Sequence, residues 1–341
     1  MATQNPNDKK VITIFGATGN QGSSVLKTLL THSQLSSLYT PRCITRSLAS
    51  PAAQQLLQKA NVEVVEADLS RPETLPAALK DTHTLFLVTT SIYPGRPGEP
   101  DTAALCAEKE FQQAKNAVDE AVRQGVQYII FSSLVSPFEL SKGKLAGVTH
   151  FDVKVRIEEY IRQKEGETGG KLKSAFFGPG AFMQNFQGGG FAPKWEDGKD
   201  GGAYVMRNLC SPGTKVPFID ITETGQWIAP LLLHPERYYG KSLLAASEWN
   251  SFGEVAKLIE EKTGKKVRFE QVAKEDMEKW FQKAPEVGRM VVGMYVWVEE
   301  GGYFGPGGEE GVAWAKAQVE DCGGRVSGVA EWLDKVGYAL D

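Results

Sequence analysis

A glycine-rich loop close to the amino terminus constrains the fold of this chain more than any other feature. It follows an apolar run at residues 11–15, precedes an amphipathic segment, and reads Gly16-Ala17-Thr18-Gly19-Asn20-Gln21-Gly22. A strand, such a loop and a helix in succession are typical of a dinucleotide-binding fold, in which phosphate groups lie at the helix N-terminus. We expect Gly16 to make the tight turn, Gly19 to let backbone N–H groups approach the pyrophosphate, and Gly22 to let the helix pack closely. An ordinary glycine turn is the alternative interpretation.

The charges that follow this loop indicate which dinucleotide the fold prefers. No Asp or Glu occurs from Ser23 to Asn61, and the predicted second strand ends at Ile44-Thr45-Arg46. A site that selects NAD places a carboxylate on the adenosine ribose at the end of this strand, whereas a site for the 2′-phosphate places a cation there. The sequence therefore predicts an NADP(H)-binding protein in which Arg46 binds the 2′-phosphate. A solvated surface arginine is the competing interpretation.

Apolar runs alternate with helical patterns through the first half of the chain. After the first unit, strands are predicted at residues 42–45, 62–65, 84–88, 128–131 and 172–177, with helices near residues 54–57, 75–79 and 102–124. This order predicts an α/β fold of the Rossmann type, a doubly wound parallel sheet whose ligand lies at the carboxyl ends of the strands. We expect residues 1–177 to form the NADP(H)-binding domain and residues 178–341 to form a smaller C-terminal α+β lobe, parts of which return to the first domain.

Glycine clusters and aromatic residues mark the start of the second half. The clusters at residues 188–190 and 198–202 predict loops. The same stretch carries the aromatic residues Phe182, Phe186, Phe191, Trp195 and Tyr204. These side chains would suit either a flat apolar substrate or a packing interface between the lobes. Farther along, a helix is predicted over residues 252–261 and a strand over residues 267–269.

Composition argues against several classes of function. A net charge of −4 disfavours direct binding of nucleic acid through a basic surface. No run approaches the roughly 18 apolar residues of a membrane span, and the amino terminus has no apolar signal region, so we expect a protein of the cytoplasm or the nucleus. The four cysteines are widely separated and the four histidines form no ligand pattern with them, so we expect no metal site.

Polar residues at and after the fifth strand indicate where chemistry could occur. Ser133 follows that strand, and His150 and Lys154 lie four residues apart on one face of a predicted helix. His150 could donate a proton near neutral pH because imidazole titrates around pH 6.5, and the Ser133 hydroxyl could orient a substrate. Two structural alternatives stay open: Lys154 could pair with Glu158, and His150 could be a helix-start residue held by local hydrogen bonds.

Several motifs together resemble the NmrA-like family of atypical short-chain dehydrogenase/reductases. Besides the glycine-rich loop, they are Thr45-Arg46, Ala67-Asp68-Leu69, His150-Phe151-Asp152-Val153-Lys154, Gly178-Pro179-Gly180-Ala181-Phe182-Met183-Gln184-Asn185-Phe186, Val216-Pro217-Phe218-Ile219-Asp220 and residues 253–267. The resemblance extends over most of the chain. One departure matters, because typical dehydrogenases of this superfamily have a Tyr-x-x-x-Lys pair and His150 stands in place of the tyrosine.

The resemblance implies which residues bind the coenzyme. The contacts implied at the phosphate end are Gly16, Thr18, Gly19, Asn20, Gln21, Gly22 and Arg46. Asp68 and Leu69 would lie near the adenine, and Lys154 would reach the nicotinamide ribose. The other implied contacts are Thr89 and Thr90, after the fourth strand, and Pro179, Phe182 and Asn185, at the nicotinamide end.

Two functions remain open within this resemblance. As a reductase, the protein would pass a hydride from NADPH to a small apolar carbonyl, imine, enone or quinone, with Lys154 positioning the ribose and His150, Ser133 or water supplying the proton. As a redox sensor or transcriptional co-regulator, it would bind NADP(H) without turnover and present loops such as residues 91–100 or 188–202 to a regulatory protein partner. The oligomeric state stays open.

Overall fold

The fold is described from a computed structural model, which covers residues 9–188, 191–198 and 201–340. Residues 189–190 and 199–200, which belong to the glycine clusters predicted as loops, lie outside these described residues. The strands are β1 (Lys10–Ile14), β2 (Tyr39–Thr45), β3 (Glu63–Glu66), β4 (Thr84–Leu87), β5 (Tyr128–Ser132), β6 (Lys173–Pro179), β7 (Ala181–Phe182), β8 (Lys194–Glu196), β9 (Ala203–Asn208), β10 (Val216–Ile219), β11 (Ser242–Ala245), β12 (Glu248–Asn250) and β13 (Val267–Gln271).

Helices connect these strands and cover both faces of the larger sheet. They are α1 (Asn20–Thr31), α2 (Ser33–Leu38), α3 (Pro51–Leu57), α4 (Leu75–Leu79), α5 (Ala103–Arg123), α6 (Pro137–Leu140), α7 (Thr149–Glu167), α8 (Thr224–Leu233), α9 (Phe252–Thr263), α10 (Lys274–Lys279), α11 (Pro285–Gly301), α12 (Gly308–Asp321) and α13 (Val329–Lys335). Short 3₁₀ turns occur at Pro72–Thr74, Met183–Phe186, Ile221–Glu223 and Pro235–Arg237. No helix in the described part of the chain has both the length and the apolarity required to cross a bilayer.

The larger sheet has the order β3-β2-β1-β4-β5-β6-β11, and every neighbouring pair is parallel. The strand order reverses between β1 and β4. From β1 the strands proceed outward as β2 and β3 on one side, and from β4 they proceed as β5 and β6 on the other side. In doubly wound sheets, ligands bind outside the carboxyl ends of the strands at this reversal. The predicted α/β fold of the Rossmann type is therefore confirmed, and its crevice lies where β1 and β4 end.

The seventh strand of this sheet, β11, is a feature that the sequence analysis missed. It pairs with β6 over Ser242 to Ala245, far along the chain from the six strands that were predicted. A four-residue run between turns carries little periodicity, and only its pairing with a distant strand makes it part of the sheet. Helix α12 packs against β11. Side chains of α8 and α12 share a buried core with β1 and β6, and they are Trp227, Ile228, Leu231, Ala315 and Val319.

The second lobe has its own core and two small sheets. One sheet has the order β12-β10-β7 and mixes parallel and antiparallel pairs, and the other has the order β13-β9-β8. Its core contains Phe186, Phe218, Phe252 and Trp332, all at most 1% exposed. The helix predicted over residues 252–261 is α9, which begins at a capping box between Ser251 and Glu254 and ends at Gly264 in the left-handed conformation.

Candidate coenzyme site

The glycine-rich loop follows β1 and lies directly against the end of β4. Gly16 has φ of +68°, a left-handed conformation that favours glycine, and a Cβ at this position would lie 2.8 Å from Val88 Cγ1. A Cβ on Gly22 would lie 2.3 Å from the Gly16 carbonyl oxygen, so only glycine lets α1 begin this close to the loop. The turn is closed by the Gly19 amide, which donates to the Gly16 carbonyl at 2.9 Å.

The N-terminus of α1 has backbone donors that no side chain caps. Thr102 and Ser251 cap α5 and α9 by accepting backbone hydrogen bonds, whereas the N-cap of α1 is Gly19, and the first turn of α1 contains no acid. Free amide donors and the positive end of the helix dipole make such a terminus suited to a phosphate group. Gly16, Thr18, Gly19 and Asn20 are exposed, while Gln21 is half-buried and its Oε1 has no hydrogen-bond partner among the described residues. These residues fit a dinucleotide pyrophosphate.

Arg46 follows β2 directly and is exposed at the same edge of the sheet. It makes no ion pair within the part of the chain that the structure describes. Glu66, at the end of β3, is the carboxylate opposite this strand end, and it accepts a hydrogen bond from the Leu48 amide at 3.0 Å. By contrast, Arg42 is buried and donates to Glu63 at 2.7 Å. Arg46, one residue beyond β2, is thus a cation at this edge that can bind an external anion.

The other residues implied as coenzyme contacts follow strands at this edge. Asp68 and Leu69, just beyond β3, are half-buried, and Asp68 Oδ1 accepts from the Ser70 amide at 2.8 Å. After β4, Thr89 is buried and Thr90 is exposed. Near the end of β6, Pro179 is buried, Phe182 is half-buried and Asn185 is exposed.

Lys154 ends in a buried cluster with Thr89 and Glu110, which we call the lysine cluster. Lys154 Nζ donates to the Thr89 carbonyl and to Thr89 Oγ1, both at 2.7 Å, and forms an ion pair with Glu110 Oε1 at 2.6 Å. The Thr89 hydroxyl in turn donates to Glu110 Oε1 at 2.7 Å. The three residues are 6%, 4% and 1% exposed, respectively. The cluster joins α5 and α7 to the segment that follows β4. Thr89 is the residue after Val88, which lies against the glycine loop.

The proposed structural alternative for Lys154, an ion pair with Glu158, is wrong. Glu158 instead pairs with Arg162 at 2.7 Å and accepts a hydrogen bond from Ser133 Oγ at 2.8 Å. The buried ammonium of Lys154 is therefore paired with Glu110 and not with Glu158. Ser133 is itself buried, so its hydroxyl could orient a substrate only by exchanging its contact with Glu158. A substrate-orienting role for Ser133 stays a prediction.

His150 is buried in the first turn of α7, and its ring is neutral at pH 7. Burial, and then the positive charge of Lys154, lower the pKa of His150 to about 4. The expectation that this ring titrates near neutral pH is therefore not met, and a proton could come only from the N–H of the neutral imidazole. Its Nδ1 has no hydrogen-bond partner among the described residues, so local hydrogen bonds do not explain its position. The Tyr93 ring lies 6.0 Å away, centroid to centroid.

Glu110 and Tyr93 are functional-site residues that were not predicted from the sequence. Glu110 interrupts the buried stripe of α5, four residues after Cys106 and four before Ala114. A carboxylate at such a position in an apolar stripe signals a buried cation partner, and this signal was present in the sequence. Tyr93 lies in the loop after β4, where its ring contact with His150 depends on the tertiary fold alone.

Most of the aromatic residues of the glycine-rich stretch serve packing. Phe186 and Phe191 contact each other and the core of the second lobe, with ring centroids 5.7 Å apart. Trp195 and Tyr204 lie edge to face at 5.1 Å across β8 and β9. Phe182 is half-buried and packs against the core that β1 and β6 share. Of the residues that the structure describes, no three of His, Cys, Asp or Glu lie together in a group that could hold a metal ion.

The fold and the sequence have relatives among known proteins. The model of the NmrA-like family matches residues 8–333 of the chain. The chain is 32% identical over 274 residues to the NmrA-like family domain-containing oxidoreductase FrzB of Cladobotryum sp., covering 77% of this chain and 76% of that protein.

Two solved structures share the fold at lower identity. One is NmrA, a negative transcriptional regulator, in complex with NADP, with a TM-score of 0.73, 20% identity, and coverage of 97% of this chain and 96% of NmrA. The other is the NADPH-dependent quinone oxidoreductase QOR2 of Escherichia coli complexed with NADPH, with a TM-score of 0.68, 17% identity, and coverage of 96% and 100%. At these identities the likeness shows the fold.

Proposed function

We propose that this chain, a member of the NmrA-like family, is a reductase that binds NADP(H) in the crevice between β1 and β4 and reduces a small apolar substrate. The observation that carries this proposal is the position of Lys154. Its buried ammonium lies at the end of β4, beside a glycine loop whose helix has uncapped backbone donors. A cation buried this deeply at a ligand-binding edge is typical of a functional group.

The coenzyme preference in this proposal rests on Arg46. An exposed guanidinium without an ion pair among the described residues stands where a 2′-phosphate would lie, while the nearby Glu66 carboxylate is engaged by the Leu48 amide. Guanidinium groups bind phosphate oxygens through two parallel donors, which favours the phosphorylated coenzyme over NADH. Among the structural relatives, NmrA is solved with NAD as well as with NADP, and QOR2 with NADPH, so the preference proposed for this chain rests on Arg46.

The chain's own residues have defined tasks in this proposal. When bound, NADPH supplies a hydride for the electrophilic carbon of a carbonyl, imine, enone or quinone. Lys154 orients the coenzyme through its ammonium. The proton comes from the neutral His150 ring, from Ser133 or from water, because the imidazolium form of His150 is scarce at pH 7.

The direct test is consumption of NADPH, followed by its absorbance, with a panel of quinones, enones and imines. We expect turnover with at least one member and its loss in Lys154→Ala. The matched control is Arg156→Ala, two residues along the same helix, because Arg156 pairs with Glu108 on the protein surface and should keep wild-type turnover. No turnover with any substrate, combined with tight NADPH binding and protection of residues 91–100 from protease, would replace the reductase by a sensor that acts through a protein partner.

A further inference from the structure

The lysine cluster determines how the Lys154 ammonium can contact a bound coenzyme. An ammonium group carries three protons, and the three protons of Lys154 have three acceptors: the Thr89 carbonyl, the Thr89 hydroxyl and Glu110 Oε1. Lys154 is therefore fully bonded by the protein itself. A hydroxyl group of a bound coenzyme can contact Nζ only if one of these three contacts opens.

The three contacts are not equally easy to open. Release of Glu110 would leave a carboxylate that is 1% exposed without its cation, which costs far more than the loss of a neutral contact. The Thr89 carbonyl belongs to the backbone two residues after β4, so it can leave Lys154 only if the chain itself moves. The Thr89 hydroxyl can lose the Lys154 contact without becoming unbonded, because it still donates to Glu110.

We propose that Glu110 is a positioning residue that holds Lys154 at the crevice, and that the Thr89 hydroxyl is the contact exchanged for a coenzyme hydroxyl. This inference rests on the proposed binding of NADP(H) to the crevice. Glu110 lies outside the sequence motifs that resemble the NmrA-like family. Among the described residues, Glu110 pairs with no cation other than Lys154, and its further contact is the Thr89 hydroxyl. Most of its effect on the coenzyme should therefore disappear when Lys154 is absent.

Neighbouring residues offer a matched comparison on the same pair of helices. Glu108 of α5 pairs with Arg156 of α7 at 2.6 Å, two residues before Glu110 and two residues after Lys154, with both side chains about half exposed. The substitution Glu108→Gln thus removes a carboxylate from the same helix as Glu110→Gln does, but from an ion pair on the protein surface. It should leave coenzyme binding unchanged.

The test is a double-mutant cycle in the full chain, with the dissociation constant of NADPH measured by calorimetry. We expect Glu110→Gln to weaken NADPH binding roughly 10-fold in the wild-type background and less than about twofold in the background of Lys154→Met. If Glu110→Gln is insoluble, Glu110→Asp takes its place, because it keeps the charge and withdraws the carboxylate by one methylene. We expect Glu110→Asp to weaken NADPH binding severalfold, again only when Lys154 is present. Equal losses in both backgrounds, or no loss in either, would overturn the positioning role.

The exchange at Thr89 has its own variant. Thr89→Val keeps the branched shape and removes the hydroxyl, so the exchange predicts a smaller loss of NADPH affinity in this variant than in Glu110→Gln. A tenfold weaker affinity would show that the hydroxyl stays in contact in the complex and would overturn the exchange. A wild-type protein that does not bind NADPH at all would instead refute the proposed function, which separates the two failures.

Discussion

The two ends of the crevice are built in opposite ways. At the phosphate end, a local stretch of sequence forms the loop, its backbone donors are uncapped, and Arg46 is exposed without an ion pair among the residues described. At the lysine end, the cation is 6% exposed and bonded by residues 44 and 65 positions away in the sequence. An exposed, unpaired cation can attract a free anion, whereas a buried, paired one can contact the coenzyme only when one of its own contacts opens. The first end should therefore set coenzyme choice, and the second should position the nicotinamide half and contribute to both affinity and stability.

The largest expected effect concerns stability at the lysine end. Loss of one partner from a buried ion pair leaves an uncompensated charge, so Glu110→Gln should lower the free energy of unfolding by about 3–5 kcal/mol. Glu108→Gln, on the same helix, should lower it by less than about 1 kcal/mol because its pair with Arg156 is exposed. Urea unfolding of both variants measures the difference. Equal effects would remove the distinction between the buried and the surface pair.

The next effect concerns coenzyme choice at the phosphate end. Arg46→Ala should weaken NADPH binding on the order of 10- to 100-fold, because a hydrogen-bonded charge pair with the 2′-phosphate is lost. The affinity for NADH should barely change, since NADH has no phosphate at this position. Fluorescence titration with both coenzymes provides the measurement. A similar loss for NADH would mean that Arg46 supports the fold of the loop and not the phosphate.

A smaller effect tests the close packing of α1 on the loop. Gly22→Ala places a Cβ 2.3 Å from the Gly16 carbonyl, which should lower the free energy of unfolding by about 1–3 kcal/mol. Gly166→Ala is the control, because Gly166 lies in α7 with no atom within 4 Å of its added Cβ. Denaturation of the two variants should show destabilisation for the first and none for the second. A neutral Gly22→Ala would contradict the described loop geometry.

The smallest effect is a pH dependence at the lysine end. Burial lowers the pKa of His150 to about 4, so below about pH 6.5 the unfolded chain takes up a proton that the folded chain does not. Stability should thus fall as the pH falls from about 6.5 towards 4, by roughly 1.4 kcal/mol at pH 5.5 for this histidine. His83, with a pKa also lowered to about 4 by burial, contributes a separate loss. In His150→Phe the difference between unfolding free energies at pH 7 and pH 5.5 should shrink accordingly; an unchanged difference would contradict the lowered pKa.

The same contrast explains what the sequence could predict. The loop, the alternating strands of the first half and the helix that ends at Gly264 all depend on residues close together in the chain, and their patterns are strong. The buried ion pair between Lys154 and Glu110 depends on how α5 and α7 meet, and the short strand β11 depends on pairing with β6. Such features arise from tertiary packing, which local periodicity does not encode. Glu110 is an intermediate case, because its position in an apolar stripe was visible although its partner was not.

In the proposed complex, NADP(H) lies across both ends of this crevice. A crystal structure of the wild-type protein with NADPH tests it most directly. We expect the 2′-phosphate within hydrogen-bond distance of the Arg46 guanidinium, and a ribose hydroxyl of the nicotinamide half on Lys154 Nζ in place of Thr89 Oγ1. A coenzyme whose 2′-phosphate contacts only solvent, or one bound away from the ends of β1 and β4, would contradict the account.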